Sequence, residues 1–188
     1  NNYLNLGMLG MHGTRYANYA IGECDLLIAV GVRFDDRVTG VVSKYAPQAK
    51  KIHFEIDKSE INKIVQVDVP VLGNVKETLT QILDYIQPNQ YPEWLAEFKD
   101  CYDVEYKRVI KDDLTPMEGK IAMGEVLYQL NEISKGDVIV CTDVGQHQMI
   151  AMRYFNFKDT RTWVTSGGLG TMGFGLPAAR FRFPGIFV

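Results

Sequence analysis

The sequence predicts an α/β fold: a parallel sheet flanked by helices, followed by a second α/β domain. Over residues 1–86, short apolar runs alternate with amphipathic segments, a pattern typical of parallel strands joined by helical connections. The segment "QPNQYP" at 87–92 carries two prolines and interrupts this pattern, and a second set of helix and strand patterns follows it. A chain of 188 residues is long enough for one large domain or two small ones.

Short patterns predict the first helix and the first two strands. A helix over 14–23 leads into the apolar strand "DLLIAVG" at 25–31, and "KKIHFEID" at 50–57 is the second strand. The stretch 58–66 then places three apolar residues on one helical face, which predicts a further helix: Ile61, Ile64 and Val65.

A third strand and a helix close the first part. "VDVPVLG" at 67–73 is the predicted strand, and Pro70 favours an edge or an irregular end, because proline donates no hydrogen bond to a neighbouring strand. The segment 74–86 has apolar residues at helical spacing, and Asn74 is suited to cap the helix N-terminus.

The part after the break begins with an aromatic and charged helix over 93–110, which we expect to pack across the outside of a domain. Its acidic residues balance its basic ones, so its aromatic residues do not indicate nucleic-acid binding. Four elements are then predicted in turn: a helix at 123–133, a strand at 137–145, a helix beginning in "QMIAMRYF" at 148–155, and a glycine-rich segment at 165–179 whose "LPAA" begins a helix.

Composition argues against several classes of protein. Hydrophobic residues at 46% and charged residues at 23% are ordinary globular values, and the net charge of −3 argues against a general nucleic-acid surface. No apolar run approaches the roughly 20 residues of a membrane-spanning helix, and the N-terminal residues show no signal-peptide pattern. The three cysteines are widely spaced, which fits neither a metal motif nor a disulfide framework, and a reducing cytoplasm is the simplest setting.

The first candidate ligand-binding stretch is "GMLGMHGTRYAN" at 7–18. Its glycines let the backbone approach a flat or phosphorylated ligand closely, and it enters a helix whose free N–H groups can face an anion. The alternative is that Met8 and Met11 simply fill gaps in a core.

The second stretch, "RFDDRVTG" at 33–40, follows a predicted strand at its carboxyl end, where α/β folds bind ligands. Arg33 and Arg37 can bind phosphate or carboxylate through two N–H groups each. The alternative is a set of exposed ion pairs with Asp35 and Asp36 that contributes little.

Two further stretches lie in the second part. In "TDVGQHQ" at 142–148, Gln146, His147 and Gln148 supply neutral donors and acceptors for a phosphate, although His147 is equally well explained as a surface histidine. In "TSGGLGTMGFGLPAA" at 165–179, a glycine-rich loop before a helix can cradle a diphosphate, and tight helix packing is the alternative. Neither the P-loop lysine nor the dinucleotide GxGxxG spacing is present.

Taken together, these strings resemble the catalytic large subunit of the biosynthetic, FAD-containing acetohydroxyacid synthase (acetolactate synthase) family. The resemblance covers roughly 1–86 and 117–179 and rests on four strings: "GMLGMHGTRYANYAIGECDLLIAVGVRFDDRVTG", "KIHFEID", "DVGQHQMIAMRYF" and "TSGGLGTMGFGLPAA". It implies that 1–86 is the C-terminal part of a Rossmann-like FAD-binding middle domain, 87–117 a linker with a helix, and 118–188 the beginning of a thiamine-diphosphate-binding domain.

In that family, a two-carbon unit from decarboxylated pyruvate is joined to a second pyruvate or to 2-ketobutyrate, in branched-chain amino-acid biosynthesis. The resemblance implies FAD, thiamine diphosphate and magnesium as cofactors and a cytoplasmic homodimer or homotetramer, with a possible small regulatory subunit. Charge and hydropathy, as above, predict no nucleic-acid partner and no membrane.

The resemblance also assigns residues to the two organic cofactors. The FAD set is His12, Gly13, Thr14, Arg15, Gly31, Val32, Arg33, Asp35, Asp36, Arg37, Glu55, Ile56, Asp57 and Asn74. The thiamine diphosphate set is Gly145, Gln146, His147, Gly170 and Met172. Arg37 is also expected to face the substrate and hold a ketoacid carboxylate, whereas Asn74 stands where the family commonly has aspartate.

Two departures qualify these assignments. The family's magnesium motif follows the glycine-rich segment, but here "RFRFPGIFV" at 180–188 takes that place, so no metal ligand is expected in this chain. The catalytic glutamate belongs to a preceding domain. The chain starts without Met and ends without a closing helix, and we expect a fragment that is inactive alone.

Two alternatives remain open. The first is a non-catalytic flavin- or nucleotide-binding module. The second is a related FAD-containing carboligase such as glyoxylate carboligase.

Overall fold

A computed structural model of the chain describes residues 4–116, 118–159, 161–182 and 186–187, in two compact units. The N-terminal unit comprises Leu6–Tyr102, and the C-terminal unit comprises Asp103–Val188 together with Asn1–Asn5. The predicted domain bounds of 1–86, 87–117 and 118–188 remain a prediction.

Three parallel strands form the sheet of the N-terminal unit, in the order β1 (Leu26–Val30), β2 (Lys50–Glu55) and β3 (Val69–Leu72). All three predicted strands are therefore confirmed, each slightly shorter than expected. Pro70 lies opposite His53 in β3, which is an edge strand of the described sheet, as its sequence favoured.

The helices of this unit are α1 (Arg15–Glu23), α2 (Asp36–Thr39), α3 (Val75–Ile82) and the first part of α4 (Pro92–Glu105). Asn74 caps α3 as predicted, because its side chain accepts a hydrogen bond from Lys76 N at 2.9 Å. Near the start of α4, Phe98 is buried and its ring lies edge-to-face against Tyr19 and Trp94, so this helix packs on α1.

One face of the β1–β3 sheet forms the core of the unit. Leu27 and Ala29 of β1 pack there with five further buried residues: Phe34, Tyr45, Ala46, Ala49 and Val65. The alternate residues of β1 (Leu26, Ile28 and Val30) are 42% to 53% exposed, so the described helices cover this strand on one face.

The prediction of a helix over 58–66 is wrong. A single 3₁₀ turn spans Lys58–Glu60, and Asn62 then adopts the left-handed backbone conformation with φ of 58°. That conformation ends a right-handed helix, and Asn62 fixes it with its own side chain, which accepts from Val67 N at 2.9 Å. Val65 still reaches the core, which explains the apolar spacing in the sequence.

The C-terminal unit begins within a long helical segment. α4 passes through a π-helical turn at Tyr106–Ile110 into α5 (Lys111–Leu114), which confirms the helix predicted over 93–110 and extends it. The other elements are α6 (Met123–Ser134), β4 (Val140–Cys141), α7 (Gln146–Tyr154), β5 (Trp163–Val164), α8 (Gly175–Arg182) and β6 (Ile186–Phe187).

The strands β5, β4 and β6 form a second parallel sheet, in that order. The strand predicted over 137–145 is confirmed only at Val140–Cys141, because Asp137 N bonds to Ser134 O in a turn before it. In the divergent tail, residues 180–182 continue α8 and residues 186–187 form β6, while 183–185 and 188 lie outside the described residues.

Candidate cofactor-binding sites

In the N-terminal unit, the backbone joins the first two candidate stretches. Met11 N donates to Arg37 O at 2.7 Å, and a Cβ atom on Gly10 would lie 2.5 Å from the same oxygen. A Cβ on Gly13 would lie 2.2 Å from Met8 O. Both positions therefore require glycine, because a Cβ atom would collide with a backbone oxygen. The close contact at Gly10 places the loop beside the turn that contains Arg37.

Asn18, which the sequence patterns did not single out, fixes this loop from α1. Its Oδ1 atom accepts from Gly10 N at 2.8 Å, and its Nδ2 atom donates to Gly10 O at 3.0 Å. Thr14 caps α1 by accepting from Ala17 N at 3.3 Å. The Asn18 and Thr14 side chains thus both help to shape this loop.

The turn after β1 presents two arginines to solvent. Asp35 caps α2 and accepts from Arg37 N at 3.0 Å, and Gly31 enters the turn with φ of 62°. The Arg33–Asp35 and Arg37–Asp36 pairs are each 3.6 Å apart, and both arginine side chains are more than half exposed. Such pairs contribute little to stability, so the guanidinium groups are free to bind an anion.

A buried histidine supports this turn from below. His53 on β2 is fully buried, and its Nε2 atom lies 2.9 Å from Val32 O. Because a carbonyl oxygen only accepts, Nε2 carries the hydrogen and donates. Phe34, 2% exposed and with φ of 53°, stacks edge-to-face on the same imidazole. The Arg33 turn is therefore held by a core contact that no sequence pattern revealed.

The carboxyl ends of β2 and β3 lie at the same edge of the sheet. The buried Glu55 carboxylate accepts from Ile56 N at 2.8 Å and from Asp57 N at 3.2 Å. Gly73 N donates to Glu55 O at 2.9 Å, which brings Asn74 beside it. Hydrogen bonds from Ser59 lower the pKa of the Asp57 carboxyl.

His12 lies within electrostatic reach of Arg37. Its pKa is lowered, mainly by burial and secondarily by the positive charge of Arg37. The imidazole is therefore neutral at neutral pH.

These positions fit a nucleotide cofactor. The predicted Gly31, Glu55 and Asn74 lie at or just after the carboxyl ends of three adjacent parallel strands, which is where α/β sheets bind such ligands. Exposed arginines, turn N–H groups and the exposed side chain of Ile56 offer contacts to phosphate and to a flat ring.

In the C-terminal unit, α7 starts directly after the β4 turn. Gly145 precedes it with φ of 148°, and a Cβ atom there would lie 3.2 Å from His147 Nδ1. Gln146 and Gly145 are exposed, and no side chain caps this helix. The start of α7 is therefore an exposed, uncapped helix N-terminus, and such an end attracts anions, which fits a diphosphate.

A buried polar network connects the strand ends below this turn. Thr142 and Gln148 are 0% and 4% exposed, and both donate to Thr165 Oγ1, at 3.0 Å and 2.6 Å respectively. This contact joins the end of β4, the start of α7 and the end of β5.

The second glycine-rich loop lies over the same turn. Gly170 has φ of 61°, and Gly173 N donates to both oxygens of Asp143, at 2.9 Å and 2.8 Å. The Met172 side chain between them is 84% exposed. The predicted residues Gly145, Gly170 and Met172 therefore belong to two loops that Asp143 joins.

Among the residues that the structure describes, no three His, Cys, Asp or Glu side chains are grouped as metal ligands. None of the described helices has the length and apolar character that a membrane span requires.

Comparisons with known proteins match both units. Residues 1–82 match the family model described as thiamine pyrophosphate enzyme, central domain, and residues 143–180 match the C-terminal TPP binding domain. The acetolactate synthase large subunit of Parasynechococcus marenigrum is 47% identical over 95% of this chain and 28% of its own length.

Two further relatives show the same extent of similarity. The isozyme 3 large subunit of Escherichia coli acetolactate synthase is 46% identical over 93% of this chain and 31% of its own length. A probable acetolactate synthase large subunit of Methanocaldococcus jannaschii is 43% identical over 94% and 30% respectively. The chain therefore spans about 30% of the length of the curated relatives it matches.

Proposed function

The chain belongs to the thiamine pyrophosphate enzymes as a relative of the acetolactate synthase large subunits, and from this premise we propose the function of the whole protein. It condenses pyruvate with a second pyruvate or with 2-ketobutyrate, giving 2-acetolactate or 2-aceto-2-hydroxybutyrate. This activity serves branched-chain amino-acid biosynthesis in the cytoplasm, in a homodimer or homotetramer that a small subunit can regulate.

The observation that carries the proposal is the α7 turn of the C-terminal unit. At an uncapped helix N-terminus, Gly145 and Gln146 are exposed and His147 is half-buried, next to a glycine-rich loop on which Met172 is exposed. These residues suit the two halves of thiamine diphosphate: N–H groups and neutral side chains for the diphosphate, and an apolar side chain for the thiamine. When bound, this cofactor supplies the electron sink for decarboxylation and carboligation.

The N-terminal unit contributes FAD binding in this proposal. FAD binds through the loop at 12–15, the turn at 31–37, the β2 end at 55–57 and Asn74; the last three lie at the carboxyl ends of the parallel strands, and the loop bonds to the turn through Met11 N and Arg37 O. By resemblance, FAD serves as a structural group with no net redox role. Arg37 extends this site toward the substrate, where its guanidinium group binds the carboxylate of a 2-ketoacid. Magnesium binds through residues outside this chain.

The test uses the full-length protein that contains this chain. Purified protein is expected to release FAD on denaturation and to form acetolactate from pyruvate only when thiamine diphosphate and Mg²⁺ are added. Competition among pyruvate, 2-ketobutyrate and glyoxylate then identifies the acceptor. Preferential use of glyoxylate would favour a glyoxylate carboligase, and flavin binding without any carboligation would favour a non-catalytic flavin module.

A further inference from the structure

Two polar side chains outside the assigned cofactor set hold the backbone on both sides of Met172. They are Asp143, just after β4, and Ser166, at the start of the glycine-rich loop. Each bonds to a main-chain N–H group next to the methionine, and neither bond follows from a motif spacing.

Asp143 ties the loop to the α7 turn. Both of its carboxylate oxygens accept from Gly173 N, at 2.9 Å and 2.8 Å, and Oδ1 also accepts from Val144 N at 2.8 Å. Hydrogen bonds to an ionised acceptor are about twice as strong as those between neutral groups. A single side chain therefore fixes one residue of the loop against the residue that precedes Gly145.

Ser166 holds the other side of the loop. Its Oγ atom accepts from Thr171 N at 3.0 Å, and its backbone oxygen accepts from Gly170 N at 3.0 Å. Gly170 and Gly173 have φ of 61° and 81°, so the loop depends on a backbone conformation that glycine adopts without strain.

Met172 lies between the two bonded N–H groups, and its own side chain is 84% exposed. Its backbone neighbours are thus fixed while its side chain projects into solvent, an arrangement that prepares an apolar contact for an incoming ligand. We infer that Asp143 and Ser166 are positioning residues that hold this loop so that Met172 meets the thiamine half of the cofactor. This inference rests on the proposed function.

The test combines a local measurement without cofactor and a binding measurement with it, both on the full-length protein. Amide hydrogen exchange over 166–173 is expected to accelerate by about tenfold or more in Asp143→Ala, because a bond to a charged acceptor is lost. Asp143→Asn, which keeps one acceptor oxygen, is expected to lie between wild type and Asp143→Ala. The affinity for thiamine diphosphate in the presence of Mg²⁺ is expected to fall by about tenfold in Asp143→Ala.

Matched variants separate positioning from general destabilisation. Asp137→Ala removes an exposed aspartate of the same unit and is expected to leave both measurements unchanged. Ser166→Ala is expected to accelerate exchange at Thr171, and Ser166→Thr, which keeps the hydroxyl group, to restore protection. Exchange over 127–134 in α6, which belongs to the same unit, reports whether that unit is folded in each variant.

The outcomes distinguish the inference from the function on which it rests. Unchanged exchange in Asp143→Ala overturns the positioning role. Faster exchange with unchanged cofactor affinity overturns the link to Met172 and thiamine diphosphate. A wild-type protein that binds no thiamine diphosphate refutes the proposed function, whereas the exchange measurement still decides whether Asp143 holds the loop.

Discussion

Among single residues, Arg37 gives the sharpest separation of binding from stability. Its ion pair with Asp36 is 3.6 Å long, and the two side chains are 68% and 79% exposed. Arg37→Ala is therefore expected to change the free energy of unfolding by less than about 1 kcal/mol. In the full-length protein, KM for pyruvate is expected to rise by at least about tenfold, because a charge-assisted bond to a carboxylate is lost.

Steady-state kinetics and urea unfolding measure these two effects. Lys63→Ala is the control, since it removes another exposed cation paired with a glutamate in the same unit, outside the site. It is expected to leave KM unchanged. If Arg37→Ala lowers stability and leaves KM at the wild-type value, the residue serves only the surface ion pair.

His12 provides a pH-dependent prediction at the same scale. Burial and Arg37 lower its pKa below the ordinary value of 6.5, so the folded state takes up this proton less readily than the unfolded state. The stability contributed by neutral His12 is present above pH 6.5 and is lost as pH falls through the unfolded-state pKa toward the lowered one. NMR titration of the imidazole should give a midpoint below 6.5.

Arg37→Ala tests the cause of that shift. Removing the charge is expected to raise the pKa of His12 only part of the way, because burial is the larger cause. A midpoint that does not move would show that the charge of Arg37 does not act on His12.

At the scale of elements, Asn62 decides where the chain after β2 stops being helical. Asn62→Gly and Asn62→Ala both remove the acceptor for Val67 N, but only alanine resists the left-handed backbone with φ of 58°. Asn62→Ala is therefore expected to be less stable than Asn62→Gly by about 1 kcal/mol, as measured by urea unfolding. Equal stabilities would show that the left-handed conformation is not required there.

The elements that sequence could predict are those whose signal is local. Pro70 at an edge and Asn74 as a cap follow from the chemistry of one residue and its neighbours. The helix over 58–66 failed because apolar spacing alone does not reveal a left-handed asparagine that interrupts it. The strand predicted over 137–145 was too long, because the residues at its two ends form turns and side-chain hydrogen bonds.

Which of the candidate residues bind a cofactor stays a prediction. Sequence patterns and resemblance indicated the loops around Arg37, Gln146 and Met172, and the structure shows how each loop is built. Asn18, His53 and Asp143 were missed because they bond to backbone groups 8, 21 and 30 residues away in sequence. Contacts of that kind depend on the tertiary fold and have no periodic signature.

For the whole molecule, the two units carry different halves of the proposed chemistry. Each has a parallel sheet, and each candidate site lies where polar loops follow the strands. The long helical segment from Pro92 to Leu114 passes from one unit into the other, so the proline-rich break at 87–92 and the division after Tyr102 lie 10 to 15 residues apart. The helix that follows the proline-rich break packs first on α1, and the domain bounds read from the sequence stay a prediction.

The 188-residue chain alone is expected to be catalytically inactive. Carboligation needs a site that excludes water, yet the Arg37 and Met172 side chains are 68% and 84% exposed. By resemblance, the catalytic glutamate and the magnesium ligands also lie outside this chain. The isolated chain, given pyruvate, thiamine diphosphate, Mg²⁺ and FAD, is therefore expected to form no acetolactate above the protein-free rate.

The absence of acetolactate formation is informative only if the protein is folded. Circular dichroism and a cooperative urea transition must therefore accompany the assay. The full-length protein, assayed in parallel, is the positive control and is expected to be active. Flavin retained by an inactive chain would show that this chain binds FAD without the rest of the protein. Measurable acetolactate from the folded chain alone would contradict the prediction, because solvent-exposed groups would then suffice for carboligation.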